Sequence, residues 1–230
     1  MKLNYLFLIL AAGLMGPVAQ AQVRLNHVSA GVSYWNRSYA NEDERALFAG
    51  YTEEDDFTTG AMMPHLGAEL NFYKAFALEA RVASWNREFS SRVVYGSGLT
   101  FEEKIAQQIY PVSLGLVYNF KDLFLQGFDG YTGAGLNRYF LKNEVERKVS
   151  GGDWEDSSGS FSGNSYGSYF KLGAEYLLGA RLGISLEGRY HLGSYEQAYQ
   201  TSGGSTEKYS VSLRGMEVGL SLRYHFGPKG

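Results

Sequence analysis

The sequence contains no cysteine among its 230 residues and only 4 prolines. The absence of cysteine excludes disulfide bonds and metal sites built on thiolates, so stability must come from core size or from complete strand pairing. No stretch after residue 22 is apolar for long enough to form a transmembrane helix. No segment shows a sustained helical period either, which leaves an all-β fold as the expectation.

An excess of basic charge is also absent. The formal net charge is -3, and this mild acidity argues against nucleic acid as a partner. Glycine and tyrosine are abundant, with 29 and 18 residues, and aromatic residues make up 15% of the chain. A composition rich in glycine and aromatics and poor in proline is typical of strands joined by turns.

Residues 1–21 have the pattern of a secretory signal peptide. Lys2 precedes the apolar run LFLILAAGLMG, and AQA at Ala19–Ala21 is a small-x-small cleavage site. A retained N-terminal helix is the competing interpretation. No cysteine stands at the cleavage point, so a lipoprotein anchor is not expected. We expect the mature chain, residues 22–230, to form one β domain.

Eight segments alternate apolar with polar or small residues. This period of two is typical of β-strands. In the seventh segment, for example, Ile184 and Leu186 alternate with Glu187 and Arg189. The segments are residues 26–35, 64–72, 76–85, 112–120, 130–140, 168–178, 183–193 and 215–226.

The connections between these segments differ in length from one to the next. YKA and GAR are short, whereas residues 41–60, 146–164 and 196–209 are long and polar. Short turns at one rim and long loops at the other are typical of up-and-down transmembrane barrels, with the short turns in the periplasm and the long loops outside the cell. The sequence therefore predicts an eight-stranded antiparallel transmembrane β-barrel.

The alternation changes phase at Tyr110–Pro111 and at Gly215. Before each point apolar residues such as Ile109 and Leu213 have odd numbers, and after each point they have even numbers. A β-bulge at each place would keep the apolar face continuous. Alternatively, the odd-numbered apolar residues lie beyond the membrane, where the facing of a strand is unconstrained.

The charged residues opposite the apolar ones are predicted to face the barrel lumen. A soluble sandwich would leave them in water, but the apolar faces end in aromatic residues, as the interfacial girdles of a barrel do. Eight strands leave an interior that side chains just fill, and an unpaired charge in it costs several kcal/mol. We therefore expect a charge network that pairs five acids with four bases. Its members are Glu69, Glu79, Arg81, Lys171, Glu175, Glu187, Arg189, Glu217 and Arg223.

The segments YPVSLGLVYNF, GYTGAGLNRYF and MEVGLSLRYHF resemble the small outer-membrane β-barrel proteins common in Bacteroidota. These are similar in architecture to the transmembrane domain of outer membrane protein A and to outer membrane protein X. The resemblance implies an outer-membrane barrel with both termini in the periplasm. Tyr224 and Phe226 match the family's terminal aromatic signature, which the barrel-assembly machinery reads, although GPKG follows Phe226 here.

Catalytic and metal chemistry find little support in the residue pattern. A serine hydrolase needs a serine beside a histidine, and the close pairs are His27 with Ser29 and His191 with Ser194. By parity these histidines face the lumen, away from a lipid substrate. His27 and His225 would meet where the barrel closes, but no third metal ligand is evident. We expect no catalytic residues, cofactor or metal.

The long loops are the expected place for any specific binding, because loops on a rigid scaffold carry function. The acidic run at residues 42–56 is interpreted as a solvated loop, with cation capture as the alternative, and Trp154 could contact a partner. We expect a non-enzymatic structural or surface-interaction protein. The expected partners are outer-membrane lipid, lipopolysaccharide, the assembly machinery and a surface or membrane-complex protein. A narrow porin-like channel or carrier of small hydrophobic molecules is the alternative, followed by a lipid A or phospholipid hydrolase.

Overall fold

A computed structural model describes residues 23–37, 60–94, 98–151, 157–200 and 206–227. The predicted signal peptide, the acidic run at 42–56, Trp154 and the last three residues lie outside the described residues. No helix in the described part of the chain is long and apolar enough to span a bilayer.

Ten strands make up the described fold. They are β1 (Arg24–Arg37), β2 (Gly60–Tyr73), β3 (Phe76–Ala83), β4 (Trp85–Val94), β5 (Thr100–Phe120), β6 (Phe128–Ser150), β7 (Ser157–Leu177), β8 (Leu182–Gln200), β9 (Thr206–Ser212) and β10 (Gly215–His225). Every pairing is antiparallel, and each strand pairs with the next around the sheet.

The sheet closes on itself as a barrel. β10 pairs with β8 on one side and with β1 on the other. β3 and β4 lie end to end along β5 and together form one wall strand. β9 and β10 lie end to end along β8 and form another, so the ten strands make eight wall strands. The predicted eight-stranded antiparallel barrel is confirmed.

One parity holds on all wall strands. Odd-numbered residues face the interior and even-numbered residues face outward, so that Arg189 is 1% exposed whereas Leu186 is 55% exposed. This follows from the two-residue period of a strand, since no bulge in the barrel wall reverses it. We call the end of the barrel with the short turns the lower end. The shifts in register occur there, between Leu25 and His27 and between Asn71 and Tyr73.

Of the two explanations for the phase changes, a bulge at Tyr110–Pro111 and at Gly215 is wrong. The β5–β6 register runs unbroken through the Pro111–Tyr139 pair, and β8 keeps one register from β9 into β10. The wall strand is interrupted between β3 and β4. The register that both strands share with β5 places Ala83 opposite Pro111, and Pro111 has no N–H to donate. The apolar residues before each point have odd numbers because they face the interior.

The outward face carries an apolar band that we call the lipid belt. It runs from Tyr110 to Phe120 on β5 and from Met216 on β10 to Phe226, the residue that follows this strand, which matches the ~9–11 residues that a tilted strand needs to cross a bilayer. Aromatic residues border it at both ends. The lower ring, at the short turns, is Phe76, Tyr118, Phe120, Tyr176, Tyr224 and Phe226, and the upper ring is Tyr34, Tyr110, Phe140, Tyr166 and Tyr190.

Candidate functional site

Four charged side chains form a cluster at the centre of the interior, which we call the central cluster. Lys171 donates to both Glu79 and Glu187, the latter over 3.0 Å. Arg189 Nη2 also bridges the two glutamates, at 2.9 Å from Glu79 Oε1 and 2.8 Å from Glu187 Oε1. Each cation therefore contacts both anions, and all four residues project from the odd positions of β3, β7 and β8.

A second ion pair lies on the upper side of the central cluster. Arg81 donates to Glu217, and His191 Nε2 is 2.7 Å from the other carboxylate oxygen of Glu217. The Nδ1 atom of His191 lies 3.0 Å from the Tyr139 hydroxyl and 3.1 Å from Asn137 Nδ2. Because Asn137 Nδ2 can only donate, Nδ1 accepts and Nε2 carries the proton that His191 donates to Glu217.

A third group lies on the lower side. Arg223 Nη1 is 3.5 Å from Glu175 Oε2, and His225 Nε2 is 2.5 Å from Glu175 Oε1. Arg223 also lies 3.9 Å from Glu187 in the central cluster. Ionic contacts thus continue from the centre of the barrel towards its lower mouth.

Glu69 differs from the other predicted members. Its Oε1 accepts from Asn26 Nδ2 at 2.7 Å and from Asn119 Nδ2 at 3.0 Å, with His27 at 3.9 Å. The structure therefore brings eight of the nine predicted residues into ion pairs, four acids with four bases, and gives Glu69 amide donors instead of an Arg or Lys partner. Any function for this network stays a prediction.

Tyrosines and glycines fill the space around these charges. Arg189 stacks 4.2 Å over the ring of Tyr169 and Arg223 stacks 4.1 Å over Tyr131. Each ring lies against a glycine of a neighbouring strand. A Cβ on Gly173 would come within 2.3 Å of the Tyr131 ring, and a Cβ on Gly115 would come within 2.3 Å of the Tyr169 hydroxyl. The glycines therefore make room for rings that shield the ion pairs.

The upper interior contains an apolar layer, which we call the apolar plug. Trp35 stacks on Tyr139 with ring centroids 6.2 Å apart and meets Trp85 edge-on at 6.1 Å. Sequence reasoning missed this layer because it assigned polarity to the whole interior, although the odd numbering of Ile109 and Leu213 was the signal for it. Its members are Trp35, Ala61, Met63, Ala83, Trp85, Ile109, Tyr139, Leu141, Tyr195, Val211 and Leu213.

The four histidines lie buried in the interior. His191 is engaged with Glu217, Asn137 and Tyr139, whereas Ser194 lies on the outward face. The rings of His27 and His225 are 5.3 Å apart. Within the described residues, no group of three or more potential ligands could hold a metal ion.

Tyr224 and Phe226, the predicted assembly signal, lie at the lower end of the last strand. Both point outward in the lower ring, and their rings meet edge to face with centroids 5.4 Å apart. Both side chains are exposed on the outer surface of the barrel.

Above the upper ring the wall continues on β4 to β9, and we call this part the extension. β6 runs on from Phe140 to Ser150, roughly 33 Å along the strand at ~3.3 Å per residue. Outward positions of the extension on β4 and β5 carry ion pairs: Arg92 Nε is 3.3 Å from Glu102, and Lys104 Nζ is 2.9 Å from Glu88. The hydrogen bond and charge of Glu88 raise the pKa of Lys104. The outer surface of the extension is therefore suited to water.

Comparison with known proteins gives a family. Residues 6–227 match the model of the outer membrane protein beta-barrel domain. The chain belongs to this family. Membership places the protein in the outer membrane and confirms, at family level, the resemblance drawn from the sequence.

Solved structures similar to the chain include three bacterial outer-membrane proteins. Neisserial surface protein A is 14% identical with a TM-score of 0.49, covering 87% of this chain and 96% of that one. The attachment invasion locus protein of Yersinia pestis is 11% identical with a TM-score of 0.44, covering 88% and 98%. A major outer membrane protein from Thermus thermophilus is 13% identical with a TM-score of 0.48, covering 87% and 98%. No curated protein sequence matches the chain.

Proposed function

We propose that this protein is a non-enzymatic outer-membrane barrel that interacts with a protein partner at the cell surface through its extracellular loops. The extension is the observation that carries this proposal. The strands β4 to β9 continue well past the lipid belt, with outward ion pairs on β4 and β5, so their outer ends lie away from the membrane. A rigid scaffold that raises variable loops is the usual arrangement of a binding surface.

The filled interior supports a function on the outside of the barrel. The ion-paired groups occupy the middle and lower interior, and the apolar plug lies above them. A cavity of about 370 Å³ at the lower mouth is lined on its inner side by Tyr131, Glu175 and Arg223. Passage through the barrel would require both the ion pairs and the plug to move.

Site-specific photo-crosslinking in living cells tests the proposal. A photoreactive amino acid at Ser160, in the extension of β7, should yield crosslinks to a discrete protein partner. The same group at Leu172, on the lipid belt of the same strand, is the matched control and should not. Crosslinking at neither site, together with steady single-channel steps in planar bilayers, would instead support the narrow channel.

Export and assembly follow the family pattern in this proposal. Residues 1–21 direct secretion, both termini lie in the periplasm, and the assembly machinery reads Tyr224 and Phe226. The outward position of both rings supports such reading. Replacing Phe226 by Ala should lower the fraction of heat-modifiable, folded protein in the outer membrane. Refolding of the same variant into detergent should be close to normal, because the ring contributes no interior contact.

A further inference from the structure

One charged side chain faces outward within the lipid belt. Across the described residues of all wall strands, the other outward positions between the two aromatic rings are apolar, small or uncharged. Arg138 is the exception. It lies on β6 between Leu136 and Phe140, and its cross-strand neighbours are Val112 on β5 and Tyr166 on β7.

Arg138 has aromatic contacts but no acidic partner. Its guanidinium carbon is 4.1 Å from the centroid of the Tyr166 ring and 5.7 Å from that of Phe140. Among the described residues no carboxylate lies within ion-pair distance of it. By contrast, Arg92 in the extension is paired with Glu102 at 3.3 Å.

The position of Arg138 limits what can neutralise it. A lipid-facing arginine is costly at the bilayer midplane, and the cost falls steeply near the interface. Arg138 is one outward position below Phe140 of the upper ring, where lipid headgroups lie. A guanidinium binds phosphate through two parallel N–H donors, and the Tyr166 ring packs against the guanidinium of Arg138.

We propose that Arg138, supported by the ring of Tyr166, is a binding site for the phosphate of a membrane lipid. The inference concerns the lipid belt, not the loops, so it does not rest on the proposed surface interaction. Two lipids carry the required group at this height: a phosphorylated glycolipid of the lipid A type in the outer leaflet, or an anionic phospholipid. The orientation of the barrel, with the long loops outside, puts Arg138 in the outer leaflet.

Native mass spectrometry of the full-length mature protein in a phosphate-free, non-ionic detergent tests the site. Bis-phosphorylated lipid A, the same lipid A after removal of its phosphates, and phosphatidylglycerol are titrated separately. We expect Arg138→Gln to weaken binding of the phosphorylated lipid about fivefold, the factor expected for one basic residue at a membrane surface. Arg138→Lys should retain part of the affinity, and Tyr166→Ala should reduce it.

Arg92→Gln is the matched control and should bind lipid as the unchanged protein does. Heat-modifiable migration on a gel confirms that each variant is folded. Selective binding of lipid A assigns the site to the outer-leaflet glycolipid, and selective binding of phosphatidylglycerol assigns it to a phospholipid. Equal binding of phosphorylated and dephosphorylated lipid A with no binding of phosphatidylglycerol, or unchanged binding by Arg138→Gln, would overturn the proposal.

Discussion

The lipid belt and the extension share the strands β5 to β8, which keep one parity but have opposite chemistry in the two regions. Within the belt, β5 turns Leu114 outward and Ser113 inward. In the extension the same strand turns Lys104 outward and Ile105 inward. The inversion occurs at the upper ring without any change of register.

The difference follows from what surrounds the barrel. Below the upper ring the outside is hydrocarbon, so apolar side chains face out and charges are paired inside. Above the ring the outside is water, so the extension buries its apolar side chains as a soluble protein does. The wall thus combines a closed membrane barrel with an extension, on β4 to β9, that has the polarity of a soluble protein, and each should fail under a different substitution.

The largest effect is expected from breaking the central cluster. Lys171→Met removes one of the two cations between Glu79 and Glu187 and should reduce the free energy of unfolding by about 3–5 kcal/mol, because a buried charge loses its partner. Urea titration of the protein in lipid vesicles measures this.

A double variant provides the control for that experiment. Adding Glu79→Gln to Lys171→Met restores the charge balance of Glu187 with Arg189 and should recover part of the lost stability. A loss of less than ~1 kcal/mol in the single variant would show that water, and not the facing glutamates, solvates Lys171.

The barrel could be predicted from the sequence because its signals are local. A period of two in eight segments and the alternation of short and long connections depend on neighbours in the chain alone. Parity then put residues such as Glu79 and Arg189 on the inner face, where the structure places them.

The finer interior could not be predicted in the same way. Partner choice, such as Lys171 with both Glu79 and Glu187, depends on which side chains from distant strands reach the same height. The apolar plug was missed because the phase change at Pro111 has two explanations in sequence, a bulge or a change of environment. Only the continuous register through Pro111 separates them.

The apolar plug should respond to cavity formation. Ile109 is fully buried beside Trp85 in the plug, so Ile109→Ala should cost about 2–4 kcal/mol in the same urea titration. Ile109→Val should cost about 0.5–1.5 kcal/mol. If both Ile109 variants were as stable as the unchanged protein, the plug would be loosely packed and would not act as a core.

A smaller effect is expected where a glycine makes room for a ring. Gly173→Ala brings a Cβ within 2.3 Å of the Tyr131 ring and should cost about 1–3 kcal/mol through overpacking. Gly159→Ala, in the extension of the same strand, meets nothing within 4 Å and should leave stability within ~0.5 kcal/mol of the original. Equal losses at both positions would point to strand conformation, not to the ring, as the reason for glycine.

The smallest effect should come from an exposed ion pair of the extension. Arg92 and Glu102 are 3.3 Å apart with both side chains more than half exposed, so Arg92→Gln should change the free energy of unfolding by less than ~0.5 kcal/mol. Repeating the titration at high salt should erase even that difference, since exposed charges are screened, while the deficit of Lys171→Met should persist. If the Arg92 variant lost as much as the Lys171 variant, the outward face of the extension would be as dry as the lumen, and the division at the upper ring would be wrong.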